Sequence, residues 1–243
     1  KENFSEELLS KSTRQAIRTA RNKGIQVQFG GSELLDDFSA LMKKTENRKS
    51  IHLRGQDYYQ KLLDTYPEHS YITLASINLN ERLESLQVQK SKAEKEASKF
   101  TEKTKPGKIE NNKQEQKRLQ EEMDFLAEKM TQGAITVPLS GTLVLEYGTT
   151  SENIYAGMDE EYRRYQPAIL TWYETAKHAF ERGANWQNMG GVENDLDGGL
   201  YHFKSKFNPT IEEYAGEFNL PTNPLYHLSN IAYTLRKKFR SKH

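Results

Sequence analysis

The chain has 243 residues, no cysteine and a formal net charge of +1, enough for one large domain or a domain with an appendage. The lack of cysteine excludes disulfide frameworks, thiol nucleophiles and cysteine-ligated zinc, and it fits a reducing compartment such as the cytoplasm. The near-neutral charge argues against a wholly basic nucleic-acid binder, and no apolar run reaches the ~18 residues of a membrane span.

The chain begins with Lys1 rather than Met, so it is expected to be part of a longer protein. Residues 12–23 read as a helix with Ala16, Ile17 and Ala20 on one face and Gly24 closing it. Residues 25–29 alternate like a strand. Ser32 is suited to cap a helix carrying Leu35, Phe38, Leu41 and Met42. A short helix is expected after Arg54, ending before Pro67, and a strand over 71–77.

From residue 79 to 131 the composition changes. Both charges are abundant, and Phe100 and Phe125 are the only aromatics. Leu79, Leu83, Leu86, Lys90, Ala93, Ala97 and Phe100 step by alternating four and three. Ile109, Asn112, Gln116, Leu119, Met123, Leu126 and Met130 do the same. Between the runs, Pro106-Gly107 is a breaker that one continuous helix would not tolerate. Two heptad runs around a breaker predict an antiparallel helical hairpin, a coiled coil with a thin seam that includes Lys90, Asn112 and Gln116. It is expected to be a protruding, mobile arm.

After the arm, 134–147 and 153–156 read as strands around a turn at Gly148. Residues 166–182 form a helix with Pro167 in its first turn, and 184–189 a strand. Residues 211–218 look strand-like, and a last helix carries Leu228, Ile231, Leu235 and Phe239 as a stripe. The order suggests an α/β domain like the acyl-CoA N-acyltransferase (GNAT) fold, by analogy. The segment Arg14-Gln15-Ala16-Ile17-Arg18 lacks the glycines of a pyrophosphate loop. Acetyl-CoA is therefore not the expected donor, and no cofactor is.

Two constellations could carry chemistry. Arg54 and Tyr58 lie four apart, on one face if helical, where a guanidinium fork and a hydroxyl could share a phosphate. On spacing alone, a surface arginine beside packing tyrosines is the plainer reading. The second is Gly198-Gly199-Leu200-Tyr201-His202-Phe203-Lys204-Ser205-Lys206-Phe207, which follows the Gly-rich turn Met189-Gly190-Gly191 and sets two lysines among aromatics. The six histidines show no paired metal spacing, so no metal site is expected. Asp195 and Asp197 read as turn residues. Basic residues cluster at Lys11, Arg14, Arg18, Arg21 and Lys23, at Lys103, Lys105 and Lys108, and at 236–242. Each cluster could meet RNA phosphates or anionic lipid headgroups, or could simply be a solvated helix face.

The 198–207 stretch resembles the C-terminal signature of the FemABX family of peptidoglycan bridge-forming aminoacyltransferases, over about residues 12–226. The resemblance implies transfer of an amino acid from aminoacyl-tRNA to the stem peptide of a lipid-linked or UDP-linked muropeptide. It implies a cytoplasmic enzyme, with peripheral contact at the inner membrane face open to it. It assigns Arg54 and Tyr58 to the precursor diphosphate and Tyr155 to a substrate-facing strand end. Phe203 and a lysine after it, Lys204 with Lys206 as competitor, fall at the reaction centre. Glu217, water or the tRNA itself could accept the proton. It also implies that residues 1–78 and 132–243 form the second of two acetyltransferase-like domains, with 79–131 as the inserted arm. Arg54 and Lys204 are then expected on one groove. The alternative is a non-catalytic tRNA-binding module that grips with the hairpin.

Overall fold

A computed structural model describes residues 4–131, 133, 135–193, 195–216, 218, 220–223 and 225–240. They form two compact units, Lys1–Pro209 and Thr210–His243. The first unit holds a mixed α/β arrangement around a five-stranded sheet of order β1-β2-β3-β4-β5. The strands are Gln26–Gly30, Ser70–Asn78, Thr136–Tyr147, Thr150–Met158 and Trp186–Asn188. The first four are antiparallel to their neighbours, and β5 runs parallel to β4.

Helix α1 (Lys11–Asn22) starts where the Ser10 hydroxyl accepts from the Thr13 amide at 3.2 Å, the usual satisfaction of a free first-turn donor. It ends at Gly24, whose φ of +84° is the left-handed exit that glycine takes without strain. Thr13, Ile17 and Ala20 face inward. On the same face of the sheet lies α6 (Pro167–Glu181), and the two share a core with Ala75, Ile77 and Leu139. On the other face, α2 (Leu35–Lys49) and α3 (Gln56–Thr65) bury Phe38, Leu41, Met42, Tyr59 and Leu63 against Ile72, Leu74 and Leu143. Ser32 does not cap α2 as expected. It opens a 3-10 turn, Ser32–Leu34, and its hydroxyl accepts from Gln60 Nε2 at 2.8 Å.

Two long helices, α4 (Leu79–Ala97) and α5 (Pro106–Met130), leave β2 and return to β3 at paired positions, Asn78 opposite Thr136. They run antiparallel: residue 82 meets 122, 90 meets 120, 93 meets 112 and 96 meets 108. Leu86, Ala93, Leu119 and Leu126 are buried between them, as the heptads require. The buried ion pair Arg82–Glu122, each side chain 4% exposed, lies one position off the heptad seam.

In the second unit, the expected strand over 211–218 does not form: residues 211–216 carry no regular structure. A strand pays for its ordering through ladder hydrogen bonds to a neighbour, and no strand pairs with this segment among the described residues. Helix α8 spans Leu225–Arg240. No helix among the described residues is long and apolar enough to cross a membrane.

Candidate active site

Strand β4 organises the first cluster. In its pairing with β3, Leu143 faces Tyr155 and Val144 faces Asn153, so Ile154 is the extra residue of a bulge. A bulge offsets the two-residue alternation. Glu152 and Tyr155, three apart, therefore share one face, about 10 Å apart along the strand. On that face α2 approaches closely: a Cβ on Gly157 would lie 3.1 Å from the backbone oxygen of Leu41 and 3.0 Å from Met42 Sδ.

Tyr155 is half-buried, its ring 5.0 Å from that of buried Tyr59 and 6.3 Å from that of Tyr58, both edge-on. Tyr58 is exposed in the first turn of α3, and the Arg54 guanidinium lies 5.2 Å from its ring centroid, a cation–π distance. The structure thus brings Arg54, Tyr58 and Tyr155 together. Burial, then the neighbouring Tyr58, pushes the Tyr155 phenol above its ordinary pKa, with Arg54 opposing. Tyr155 is therefore an O–H donor at neutral pH. Burial also pushes Tyr59 up to about 12.

The second cluster is built by a short helix, α7 (Gly199–Lys204). Glu193 reaches over its start and accepts from the amides of Leu200 and Tyr201, both at 3.1 Å. Its own backbone amide first, then those of Leu200 and Tyr201, hold the Glu193 carboxyl below the usual range. Phe203 anchors the helix, its ring edge-on to Trp172 at 5.2 Å and to Phe207 at 5.7 Å. Lys204 is thereby turned inward and is 8% exposed. Its Nζ donates to the Gly191 carbonyl at 2.7 Å and lies 5.9 Å from the Trp172 ring centroid.

Burial pulls the Lys204 pKa down; Glu193 and Glu152 oppose this, and Lys49 adds to it. No carboxylate among the described residues lies within ion-pair distance of Nζ. An ammonium has three donors, so two are left for a ligand. Lys206 differs: its side chain is exposed, and its carbonyl accepts from Thr13 Oγ1 at 2.8 Å. Glu217 lies outside the described residues.

The clusters do not touch. Two cavities, about 340 and 260 Å³, open elsewhere: one by Gly31 and Asp64, the other between Trp172, Asn153, Gln187 and Phe207. Neither is lined by Arg54 or Lys204. What links the clusters is β4, through Glu152 and Tyr155, and the end of α2, where Lys49 acts on Lys204 just before the loop that carries Arg54. Trp172, Glu193 and Glu152 were not singled out in the sequence. The nearest signal was the Gly-rich turn that needs a tether.

A five-stranded mixed sheet covered by helices, with a buried lysine on a short helix bonded to a glycine-rich turn, defines an α/β protein with a cation-bearing site near its parallel edge. Over residues 1–234 the sequence matches the FemAB family, and the chain belongs to that family. It is 29% identical over 230 residues to a lipid II:glycine glycyltransferase of Staphylococcus epidermidis, covering 88% of this chain and 55% of that protein. It is 25% identical over 236 residues to the aminoacyltransferase FemA of the same species, covering 90% and 55%. The crystal structure of FemX superposes with a TM-score of 0.60 at 22% identity, covering 83% of this chain and 54% of that one, and so shares the fold. The chain spans about half the length of the curated relatives it matches.

Proposed function

We propose that the protein is an aminoacyltransferase that extends the stem peptide of a peptidoglycan precursor, with aminoacyl-tRNA as the donor. The amine nitrogen of the stem peptide attacks the ester carbonyl carbon, and the bond to the ribose oxygen breaks. The new amide keeps the amino acid, the leaving hydroxyl takes a proton, and the amine loses one. The ester is already activated, so orientation and stabilisation of the oxyanion are what the protein must supply.

The observation that carries this reading is Lys204: a buried ammonium fixed by one carbonyl, with two donors uncommitted and no carboxylate partner among the described residues. Such a group suits an oxygen on which charge develops. Its lowered pKa reflects incomplete solvation, which strengthens its pull on an incoming anion. Arg54, Tyr58 and Tyr155 would take the diphosphate of a lipid-linked or UDP-linked acceptor, a guanidinium with two phenol donors beside it. Phe203 holds Lys204 in place, and water or the tRNA itself would take the proton.

In the same reading, residues 1–78 and 132–243 form a GNAT-like domain interrupted by a coiled-coil arm. The full-length protein would carry a further domain of this kind and act in the cytoplasm near the membrane face. The test is transfer to a muropeptide acceptor by the full-length protein. Loss of transfer in Lys204→Met, with acceptor binding kept, supports it; an unchanged rate removes Lys204 from the chemistry.

A further inference from the structure

Helix α1 carries no acidic residue. Its inner face, Thr13, Ile17 and Ala20, is spent on the core. The opposite face presents Lys11, Arg14 and Arg18, spaced i, i+3 and i+7, a stripe about 10 Å long. The five-residue basic cluster seen in the sequence is divided by the fold. Arg21 is bound by Glu6 and Glu174, and Lys23 by Glu122. Lys11, Arg14 and Arg18 have no carboxylate within ion-pair distance among the described residues. The helix is also tied to the lysine-bearing segment. The Thr13 hydroxyl bonds to the Lys206 carbonyl at 2.8 Å, which docks the first turn of α1 on the turn directly after Lys204. Lys206, two residues after the buried Lys204, is itself exposed and without an ion pair among the described residues.

We propose that Lys11, Arg14, Arg18 and Lys206 form a phosphate track that holds the backbone of the RNA donor and leads its acylated end to Lys204. The inference rests on the aminoacyl-tRNA reading above and adds to it the surface that the RNA occupies. RNA is favoured over a membrane surface because the exposed face is wholly polar, with Gln15 and Asn22 completing it. A helix lying on lipid must offer an apolar face to the interface, and α1 has already buried its own. Two of the three helix cations are arginines, the side chain suited to bidentate phosphate contact.

The test is fluorescence anisotropy of a non-acylated RNA hairpin with the full-length protein, titrated with salt. Three lost phosphate contacts at ~0.7 each predict a log–log salt slope shallower by about two in Lys11→Gln/Arg14→Gln/Arg18→Gln. Affinity at 0.1 M salt should fall roughly a hundredfold, with an unchanged thermal midpoint and unchanged muropeptide binding. A Lys103→Gln/Lys105→Gln control at the turn between α4 and α5 should keep the wild-type slope. An unchanged slope in the triple variant overturns the track while leaving the transferase reading intact. So does loss of binding to phosphatidylglycerol vesicles with RNA binding kept. Failure of the wild-type protein to bind RNA at all removes the RNA-donor reading, and the track with it.

Discussion

Lys204 reaches the Gly191 carbonyl at 2.7 Å, across the turn that follows β5. This bond fixes a nearly buried cation where Glu193 on one side and Phe203 on the other leave it little freedom. The contact is specific to an ammonium. Arginine's larger planar fork does not fit a seat that is 8% exposed. Lys204→Arg should therefore fail to rescue transfer, with kcat falling about 100-fold, as for loss of a single oxyanion donor. Lys206→Arg, on an exposed side chain, should stay within about twofold of wild type at low salt. Steady-state kinetics on the two variants checks both outcomes.

The Arg54–Tyr58–Tyr155 cluster predicts an effect on binding rather than on chemistry. Arg54→Lys keeps the charge but loses the fork, so KM for a diphosphate-bearing acceptor should rise about tenfold, with kcat little changed. Tyr155→Phe removes one phenol donor and should raise KM by roughly ten- to a hundredfold, since a hydrogen bond to a charged group contributes ~1.5–3 kcal/mol. An acceptor analogue lacking the diphosphate should be insensitive to both changes.

The ion pair between Arg82 and Glu122 predicts a pH dependence of stability. Burial works to raise the Glu122 carboxyl, but Lys23 and Arg82 hold it below its ordinary value. A carboxyl with a depressed folded pKa contributes stability that is present above ~4.3 and is lost as pH falls through the lower folded value. Glu122→Gln leaves Lys23, Arg82 and Arg118 facing a neutral amide and should cost about 3–5 kcal/mol at neutral pH. In acid the two melting curves should converge. A constant difference in melting temperature down to pH 2 would contradict this.

At Gly157 the close approach of α2 to β4 leaves a methyl group room only if its neighbours, 3.0–3.1 Å away, shift. Met42 is flexible, but the Leu41 backbone is not. Gly157→Ala should destabilise by about 1–3 kcal/mol, as overpacking does, and should loosen the face that carries Tyr155. Thermal denaturation together with acceptor affinity would show both effects.

Much of the fold was legible because alternation and capping are local. All five strands overlap the stretches read as strands, with β1, β2 and β4 running beyond them, and Gly24, Gly148 and Pro167 mark the ends they were expected to mark. The helical pair was legible from its heptads, but the buried positions Arg82 and Glu122 were not. The base of the pair packs on Lys23 and Tyr165 as well as on itself, which widens the buried face beyond a two-helix seam. The strand expected over 211–218 shows the opposite limit: alternation is permissive, and a strand exists only where a neighbour accepts its hydrogen bonds.

At the site, the residue types were readable and their surroundings were not. Lys204 and Lys206 are equivalent in spacing, and only the packing of Phe203 against Trp172 makes the first buried and the second free. Glu193 caps a helix from seven residues away, and Glu152 reaches the same face as Tyr155 only because Ile154 is bulged. These are tertiary facts with no local signature.

The central claim is that a buried ammonium assists transfer while the guanidinium cluster holds the acceptor. It is tested most directly by single-turnover transfer from aminoacyl-tRNA to a muropeptide with full-length Lys204→Met. The account predicts a rate reduced about 100-fold at an acceptor Kd equal to that of wild type. A wild-type single-turnover rate in that variant would contradict it.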